Sequence, residues 1–335
     1  MKPYYRLTNQ GQARRLRRLA RSALESYDLD VERLRLITND LNGIFRVDTR
    51  GSHSYALRVS IPGVLGHTLP QIRSEMAWLA ALAHDTDLGV PHPLPARDGS
   101  LVTTAGAPGV PEPRHCAIFS WLPGPTLSRQ LSPANLAKLG ELAARLHTHA
   151  ATFVPPEGFA VPTADSVFPF REPVVLFNPE HAALFPSGRR RVYEDGIARI
   201  QATLNSLYAG GQPPRVLHYD LHQWNVKVYR GRLSVFDFED LMFGHPAQDI
   251  AITFYYFQDR EDYASLREAF QNGYTRHLAW PERFAGEIDA YVAGRGVELT
   301  NFVLQDPDPR YQAQRHRFVE RMEGRFRAFL AGPGM

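Results

Sequence analysis

The sequence contains almost no cysteine and no long apolar run. Cys116 is its only cysteine in 335 residues, so no disulfide can form within the chain, and such usage is compatible with a reducing cytoplasm. No apolar run approaches the length that crosses a membrane, and the N-terminus lacks the apolar core of a secretory signal. We therefore expect a cytoplasmic protein that does not act at a membrane.

Lysine is nearly absent as well, and arginine supplies most of the positive charge. Lysine occurs only at Lys2, Lys138 and Lys227. The formal net charge of +3 is weak evidence for a polyanionic partner, so we expect no nucleic acid. An arginine-rich helix predicted over residues 11–29 carries its charges outside an apolar stripe. A solvated face on a helix that packs against the first lobe is therefore favoured over a membrane-surface or nucleic-acid role.

Residues 214–251 carry the densest set of chemically active side chains. The segment reads PRVLHYDLHQWNVKVYRGRLSVFDFEDLMFGHPAQDIA. It presents H-x-D-x-x-x-x-N over residues 218–225, followed by two short apolar runs that flank an Arg-Gly turn. The second run ends in D-F-E at residues 237–239. This order predicts a polar loop, a β-hairpin and then an acidic turn.

These residue types suit phosphoryl transfer from ATP. That reaction requires an acceptor hydroxyl held in line and Mg²⁺ to neutralise the phosphate oxygens. A loop carboxylate such as Asp220 can orient the hydroxyl and take its proton. Asn225 and Asp237 offer hard oxygen ligands for Mg²⁺, and the hairpin is expected to bring Asp237 back beside the loop. The alternative is a zinc site at H-x-D-x-H over residues 218–222, but hydrolytic zinc would require more His or Cys nearby.

The full pattern resembles the small-molecule branch of the protein-kinase-like fold, which contains aminoglycoside phosphotransferases, choline kinases and type II homoserine kinases. That branch carries H-G-D-x-H-x-x-N, an apolar hairpin, D-[FW]-[DE], and then a helix that opens with D-[LI]-A, matched here at residues 249–251. Tyr219 stands where the branch has glycine, and Gln223-Trp224 stands where Pro-Gly is common. The resemblance covers about residues 30–260.

The resemblance implies an α+β fold with two lobes. An antiparallel five-stranded sheet with helices would form a nucleotide-binding lobe over residues 1–122. A mainly helical lobe over residues 123–335 would hold the catalytic and acceptor-binding groups. His218 and Asp249 are expected to be structural, with Asp249 accepting hydrogen bonds from the catalytic loop. Apolar periodicity predicts the last four helices over residues 247–258, 261–275, 281–296 and 310–331.

The resemblance also implies a nucleotide site in the first lobe. The turn that contains Asn42 and Gly43 would lie over the ATP phosphates, although one glycine alone marks only a hairpin turn. The third strand of this branch usually carries a lysine, and Arg58 occupies that place here. Guanidinium stays charged and can bind phosphate with two donors. Glu75, on the helix that follows, matches the acid that pairs with the strand cation.

Further contacts with the nucleotide follow from the same comparison. The adenine ring would use backbone groups around Phe119, Ser120, Trp121 and Leu122, which resemble the hinge between the lobes. Glu239 would assist a second metal or the phosphates. The cofactors implied are thus ATP and Mg²⁺, and the sequence predicts no oligomeric state.

The predicted reaction is transfer of the ATP γ-phosphoryl group to a hydroxyl of a small molecule. Homoserine, an amino alcohol, a sugar or an aminoglycoside would each qualify, and a cationic aminoglycoside would require pocket acids. Candidate acids are Glu261, Asp262, Asp306 and Asp308. A protein Ser/Thr kinase on the same fold is an alternative, although no A-P-E segment or long activation loop follows Asp237. A nucleotide-binding module without catalysis is a second alternative, favoured by the missing lysine but opposed by the intact acid, amide and acid.

Overall fold

Short runs of alternating apolar residues in the first third of the chain form one antiparallel sheet. The computed structural model describes residues 2–39, 42–62, 67–170, 172–306 and 308–332. The strands of the sheet are β1 (Val31–Asn39), β2 (Gly43–Thr49), β3 (Ser54–Val59), β4 (Thr103–Ala105) and β5 (Arg114–Ser120). Their order is β1-β2-β3-β5-β4, and every neighbouring pair is antiparallel. The predicted five-stranded sheet is therefore confirmed, while Asp40 and Leu41 of its first turn lie outside the described residues.

The leading helix α1 (Asn9–Leu24) packs on this sheet. The Thr8 side chain caps it by accepting a hydrogen bond from the Gly11 N–H at 3.2 Å. Its apolar stripe, which includes Leu16, Leu19 and Ala23, is buried in the same core as the alternate residues of β2. The expectation that the arginine-rich helix packs against the first lobe is confirmed, because its apolar face is already covered.

The helix α2 (Leu69–Asp85) carries the predicted acid Glu75. Thr68 and Gln71 form a reciprocal capping box at its start, which fixes where the helix begins. Trp78 on its inner side is fully buried and meets the Phe238 ring edge-on at 5.6 Å. The helix is thereby held in a single position against its surroundings.

The chain forms two compact units. The first unit comprises Met1–Pro125, Phe153–Ala160 and Lys227–Glu239, and the second comprises the remainder. Two of these segments, residues 153–160 and 227–239, follow the predicted lobe boundary at residue 122 in the sequence and nevertheless belong to the first unit.

The second unit is mainly helical, as predicted. Its helices are α3 (Pro133–Thr152), α4 (Ser187–Ala209), α5 (Pro246–Tyr255), α6 (Tyr263–Tyr274), α7 (Glu287–Gln305) and α8 (Pro309–Ala331). Short 3-10 helices occur in this unit at Leu127–Arg129 and Pro179–Leu184, and in the first unit at Tyr4–Arg6. Helix α7 packs against α4, α5 and α8, so it is the central helix of this unit. It extends to Gln305, past the predicted end at residue 296. The prediction stopped early because Thr300 and Asn301 are buried polar residues that interrupt the apolar pattern.

The predicted hairpin after the polar loop is also present. The remaining strands are β6 (Arg215–Leu217), β7 (Val226–Tyr229), β8 (Arg232–Val235) and β9 (Met242–Gly244). Strand β7 pairs with β8, and β6 pairs with β9. Arg230 and Gly231 have φ of 49° and 75°, the two left-handed residues of a tight hairpin turn. Strand β8 is bound to the first unit by the Val235 N–H, which donates to the Gly89 carbonyl at 2.8 Å.

Two glycines allow α3 and α6 to approach closely. A Cβ added at Gly140 of α3 would fall on the Phe270 carbonyl, and one added at Gly273 of α6 would fall on the Ala137 carbonyl. Both clashes are with backbone atoms of the facing helix, which side-chain rotation cannot relieve. The contact between α3 and α6 therefore requires glycine at both positions.

We expect Gly273→Ala to lower the free energy of unfolding by about 1–3 kcal/mol, because an added methyl group would push two packed helices apart. Gly324→Ala is the matched control, since Gly324 is exposed in α8 with no atom within 4 Å of an added Cβ. The control should be neutral or up to about 1 kcal/mol more stable, as helix propensity predicts. Urea unfolding measures both, and a Gly273→Ala variant as stable as the wild type would contradict this account of the contact.

Candidate active site

The loop that carries Asp220 follows β6 and is fixed by Asp249 at the start of α5. His218 and Asp249 are both almost completely buried. The Asp249 carboxylate accepts hydrogen bonds from the backbone N–H of Tyr219 at 2.8 Å and of His218 at 3.3 Å, and His147 Nε2 lies 3.1 Å from it. The His218 Nδ1 atom accepts from the Asp220 N–H at 3.2 Å. The predicted structural roles of Asp249 and His218 are confirmed.

The Asp220 carboxylate is held through both of its oxygens. Oδ1 accepts a hydrogen bond from Arg295 Nη2 at 2.6 Å, and Oδ2 accepts one from Asn225 Nδ2 at 2.7 Å. The His222 Nε2 atom lies 3.3 Å from Oδ2. The Asp220 side chain keeps 16% of its surface exposed, so a small molecule can still reach the carboxylate.

The same neighbours set the charge of Asp220. Burial acts to raise the pKa of this carboxyl, but the nearby His222 ring and then the Arg295 guanidinium outweigh it. Together they hold the pKa of Asp220 well below its usual range. Asp220 is therefore an ionised hydrogen-bond acceptor at neutral pH.

The two histidines of the loop make contacts within the protein. The Nδ1 atom of His218 accepts from the backbone, and the His222 ring meets the Tyr256 ring edge-on at 4.5 Å. Within the described part of the chain, no three His, Cys, Asp or Glu side chains are grouped as a metal site requires. The geometry thus favours a loop organised around Asp220 over the zinc alternative. The Asn225 side chain is buried and uses its nitrogen toward Asp220, which leaves its Oδ1 as the atom suited to a hard cation.

Sequence analysis gave no role to two residues of α7 that are central to this site. Arg295 bridges two carboxylates, with Nη2 on Asp220 and Nη1 on Glu298 Oε2 at 2.9 Å. The other Glu298 oxygen accepts a hydrogen bond from the Tyr219 hydroxyl at 3.0 Å. We call Tyr219, Glu298, Arg295 and Asp220 the α7 network. All but Asp220 are more than nine-tenths buried.

Electrostatics fixes the protonation states of Arg295 and Tyr219 in the α7 network, while burial raises the pKa of Glu298 between them. Burial acts to lower the pKa of Arg295, but Tyr256, Glu298 and Asp220 raise it well above the usual range. Burial and the adjacent Glu298 raise the pKa of the Tyr219 hydroxyl well above its usual range. Arg295 therefore remains a cation and Tyr219 remains a proton donor.

Tyr219 has a backbone conformation that normally belongs to glycine. Its φ is 58°, in the left-handed region, where a side chain with a Cβ is sterically disfavoured. This conformation explains why the related branch carries glycine here. The only signal in the sequence was this departure from the pattern. Arg295 gave no such signal, because it is one of many arginines.

The first unit contains a second buried cluster of charges. Arg58 on β3 donates to both oxygens of Glu75, at 2.9 Å and 2.5 Å, so the two side chains form a bidentate pair. Glu239 Oε2 lies 3.5 Å from Arg58 Nη1. The predicted pairing of Arg58 with Glu75 is confirmed, whereas a role of either residue toward a nucleotide remains a prediction.

This cluster has two carboxylates for one guanidinium. Burial acts to lower the pKa of Arg58, but Glu239 and Glu75 raise it above its ordinary value. Burial acts to raise the pKa of Glu239, but Arg58 and the neighbouring His67 outweigh it and lower that pKa. Arg58 is thus a permanent cation whose charge stabilises both carboxylates inside the first unit.

The predicted phosphate turn is connected to the same cluster. The Asn42 Nδ2 atom lies 2.7 Å from each Glu239 oxygen, and Asn42 Oδ1 accepts from the Ile61 N–H at 2.9 Å. Gly43 begins β2 opposite Val59. Asn42 therefore organises the turn through Glu239, a contact that sequence analysis did not foresee.

Asp237 belongs to the first unit and also has an unusual backbone. Its φ is 70°, in the left-handed region, and its side chain is exposed. The following Phe238 is fully buried against Trp78. Burial of Phe238 and the strained turn together fix where the Asp237 backbone points.

The stretch predicted to bind adenine ends β5. Phe119 is buried, with the Arg58 guanidinium 5.3 Å above its ring. The amides of Ser120 and Trp121 already donate to backbone carbonyls, at 2.9 Å and 3.1 Å. Only the Leu122 end of the stretch is therefore a good candidate for a backbone amide toward adenine, and this assignment stays a prediction.

The predicted site residues thus form two groups. Asp220 and Asn225 are in direct contact in the second unit. Arg58 and Glu75 are in contact in the first unit, which also contains Asn42, Gly43, Phe119 to Leu122 and Asp237.

None of the helices in the described part of the chain is both long enough and apolar enough to span a bilayer.

Comparisons with known proteins agree with this architecture. The model of the phosphotransferase enzyme family matches residues 33–286. The structure of a microcompartment-associated aminopropanol kinase is similar with a TM-score of 0.76 and 22% identity, over 94% of this chain and 97% of that one. No curated protein sequence is similar enough to count as a match.

Two further solved structures share the fold. An amicoumacin kinase in complex with AMP-PNP and Ca²⁺ has a TM-score of 0.73 and 17% identity, over 95% of this chain and 96% of that one. A spectinomycin phosphotransferase with ADP has a TM-score of 0.65 and 14% identity, over 94% and 98%. These likenesses confirm the protein-kinase-like fold, as expected from the sequence. Because the family model covers most of the chain, the protein belongs to the phosphotransferase enzyme family and is an ATP-dependent kinase.

Proposed function

We propose that this kinase transfers the γ-phosphoryl group of ATP to a hydroxyl of a small polar molecule, with Asp220 as the residue that orients the hydroxyl. The observation that carries the proposal is the contact between Asp220 and Asn225 in a buried, fixed loop. Membership of the phosphotransferase enzyme family supports it, because the contact lies in a segment that the family model covers.

Asp220 would act mainly through position. Its low pKa makes it a weak base, so it accepts a hydrogen bond from the acceptor hydroxyl and takes the proton late in the reaction. Phosphoryl transfer passes through a loose transition state that demands little proton abstraction beforehand. An ionised, immobile carboxylate is suited to that task, because alignment contributes more than basicity.

Asn225 and Asp237 would hold Mg²⁺. The Oδ1 atom of Asn225 and the carboxylate of Asp237 are the hard oxygen ligands that this cation prefers. When bound, Mg²⁺ neutralises the phosphate oxygens. Fixing the Asn225 side chain through its bond to Asp220 would orient its oxygen as a ligand.

Arg58 would steady the phosphates in place of the lysine that is common in this branch. Glu75 holds the guanidinium through two hydrogen bonds, and Glu239 adds a third contact. Asn42 connects that cluster to the turn ending at Gly43, and the resemblance places this turn over the phosphates. We assign Glu239 the role of holding the Arg58 and Asn42 side chains in position.

The acceptor would carry at most one positive charge. Asp262 is paired with Arg260 at 2.7 Å, and Asp308 with Arg310 at 2.6 Å. Asp306 accepts a hydrogen bond from the Asp308 N–H at 2.7 Å, and Glu261 is exposed, so the four candidate acids do not form a buried anionic pocket. The α7 network has two carboxylates for one guanidinium and thus one surplus negative charge.

An aromatic wall lies beside that charge. Trp224 is 48% exposed, and its ring meets those of His222 and Tyr256 edge-on at 5.4 Å. Aromatic faces beside a single surplus acid suit one ammonium group. This favours a compact amino alcohol, the type of substrate named for the structurally similar aminopropanol kinase.

The acceptor assignment is tested with purified enzyme, ATP and Mg²⁺ against 1-amino-2-propanol, homoserine and spectinomycin. We expect the highest kcat/KM for the acceptor with one amine and no carboxylate. Asp220→Asn should lower kcat by about 10²–10⁴-fold, because an amide weakens the contacts that align the side chain and cannot accept the hydroxyl proton, while ATP affinity stays unchanged.

Asp262→Asn is the matched control for that substitution, since Asp262 forms only an exposed ion pair with Arg260. Its kcat should equal that of the wild type. Wild-type turnover by Asp220→Asn would refute the role of Asp220, and phosphorylation of proteins in preference to every small molecule would refute the acceptor class.

Removing the Arg58 charge should destabilise the fold, because two buried acids would then lack their cation. We expect Arg58→Met to lower the free energy of unfolding by about 3–5 kcal/mol near neutral pH. Without the cation, the folded-state pKa values of Glu75 and Glu239 lie above their unfolded values. The loss therefore grows as pH rises through the range above about 4.5 and shrinks as pH falls and the acids are protonated.

Urea unfolding between about pH 5 and pH 8 measures this effect. Arg260→Met removes an exposed partner of Asp262 and should cost less than about 1 kcal/mol at either pH. A loss for Arg58→Met that is as small, or that does not change with pH, would show that the buried cluster does not depend on Arg58.

A further inference from the structure

The Arg295 guanidinium is divided between two acids. It gives one nitrogen to Glu298 and the other to Asp220, instead of giving both to one carboxylate. Guanidinium and carboxylate prefer a bidentate pair, as Arg58 and Glu75 form in the first unit. Asp220 and the Tyr256 hydroxyl, 3.2 Å away, both attract Nη2, and the orientation of the Glu298 carboxylate decides whether it can compete with them.

The Tyr219 hydroxyl competes for the Glu298 oxygen that such a pair would need. It donates to Glu298 Oε1 at 3.0 Å, and Arg295 Nη1 donates to Oε2 at 2.9 Å. The hydroxyl is buried, so water does not replace it readily. The Tyr219 bond thus fixes the orientation of the Glu298 carboxylate, in which Arg295 Nη1 meets Oε2 while Nη2 reaches Asp220.

This role accounts for tyrosine in an unfavourable backbone conformation. At φ of 58° glycine would be free of steric strain, but glycine has no hydroxyl to give to Glu298. The Phe170 ring packs edge-on against the Tyr219 ring at 5.9 Å, which helps to hold the side chain in place. The strain at Tyr219 is thus retained together with a contact that only its side chain can make.

We propose that Tyr219 and Glu298 are positioning residues that set Arg295 on Asp220, and so fix the carboxylate that orients the acceptor hydroxyl. Neither residue touches the reacting atoms. Arg295 holds Oδ1 of Asp220 while Asn225 holds Oδ2, so the plane of the carboxylate cannot rotate. The proposal rests on the proposed role of Asp220.

The test uses Tyr219→Phe, which keeps the ring and removes the hydroxyl. Without that hydrogen bond the Glu298 carboxylate can rotate and take both Arg295 nitrogens, and Asp220 loses its contact with Arg295. We expect kcat to fall by about 100-fold with little change in KM for ATP or the acceptor, because alignment and not binding is lost. The reaction measured is MgATP with 1-amino-2-propanol, or with water where that acceptor is not used.

Replacing Glu298 distinguishes this mechanism from simple damage to the fold. Glutamine has one acceptor oxygen and cannot form the bidentate pair with Arg295. Adding Glu298→Gln to Tyr219→Phe should therefore return kcat toward the wild-type value. Arg295→Lys, which keeps the charge but cannot bridge two acids in the same way, should lower kcat as Tyr219→Phe does and should not be rescued by Glu298→Gln.

Tyr193→Phe is the matched control. Tyr193 is fully buried and donates to the Val319 carbonyl at 3.0 Å, the same length as the Tyr219 bond. Both tyrosine variants should lose similar thermal stability, but only Tyr219→Phe should lose kcat. Wild-type kcat in Tyr219→Phe, or a further fall in the double variant, overturns the proposal. Full activity of Asp220→Asn would instead refute the proposed function on which it rests.

Discussion

One guanidinium placed between two carboxylates is the interaction on which the catalytic loop depends. Asp220 is buried on most sides, and an isolated buried carboxylate would be protonated or would distort the loop. Arg295 prevents this by donating to Asp220 at 2.6 Å, and Glu298 in turn keeps Arg295 in place. Because Arg295 lies on α7, the central helix of the second unit, the orientation of a loop residue is set by a rigid element.

The first unit also stabilises buried carboxylates with an arginine. Arg58 is hydrogen-bonded to Glu75 and lies close to Glu239, so it too contacts two carboxylates. Guanidinium presents several N–H groups in a fixed plane and can bridge two carboxylates, whereas an ammonium acts as a point charge. The scarcity of lysine in this chain therefore agrees with the chemistry of its buried clusters. Arg58 at the usual lysine position is part of that pattern.

The elements and the loop could be predicted from sequence because their signals are local. Alternation gave the strands, Arg230-Gly231 gave the hairpin turn, and the spacing of His218 to Asp249 gave the loop and its anchor. The α7 network could not be predicted, because its loop residues and its helix residues are more than 70 positions apart in sequence and Arg295 resembles every other arginine. Its helix was predicted too short for a related reason: buried Thr300 and Asn301 hide the apolar period on which such predictions depend.

The most direct test of the central claim is a double-mutant cycle between Asp220 and Arg295 that measures the free energy of unfolding. Asp220→Asn and Arg295→Met are made singly and together. If the two side chains form the ion pair on which the loop depends, the double variant is less destabilised than the sum of the single variants by about 1–3 kcal/mol. Effects that add to within about 0.5 kcal/mol would show that the two side chains do not interact, and would contradict the account.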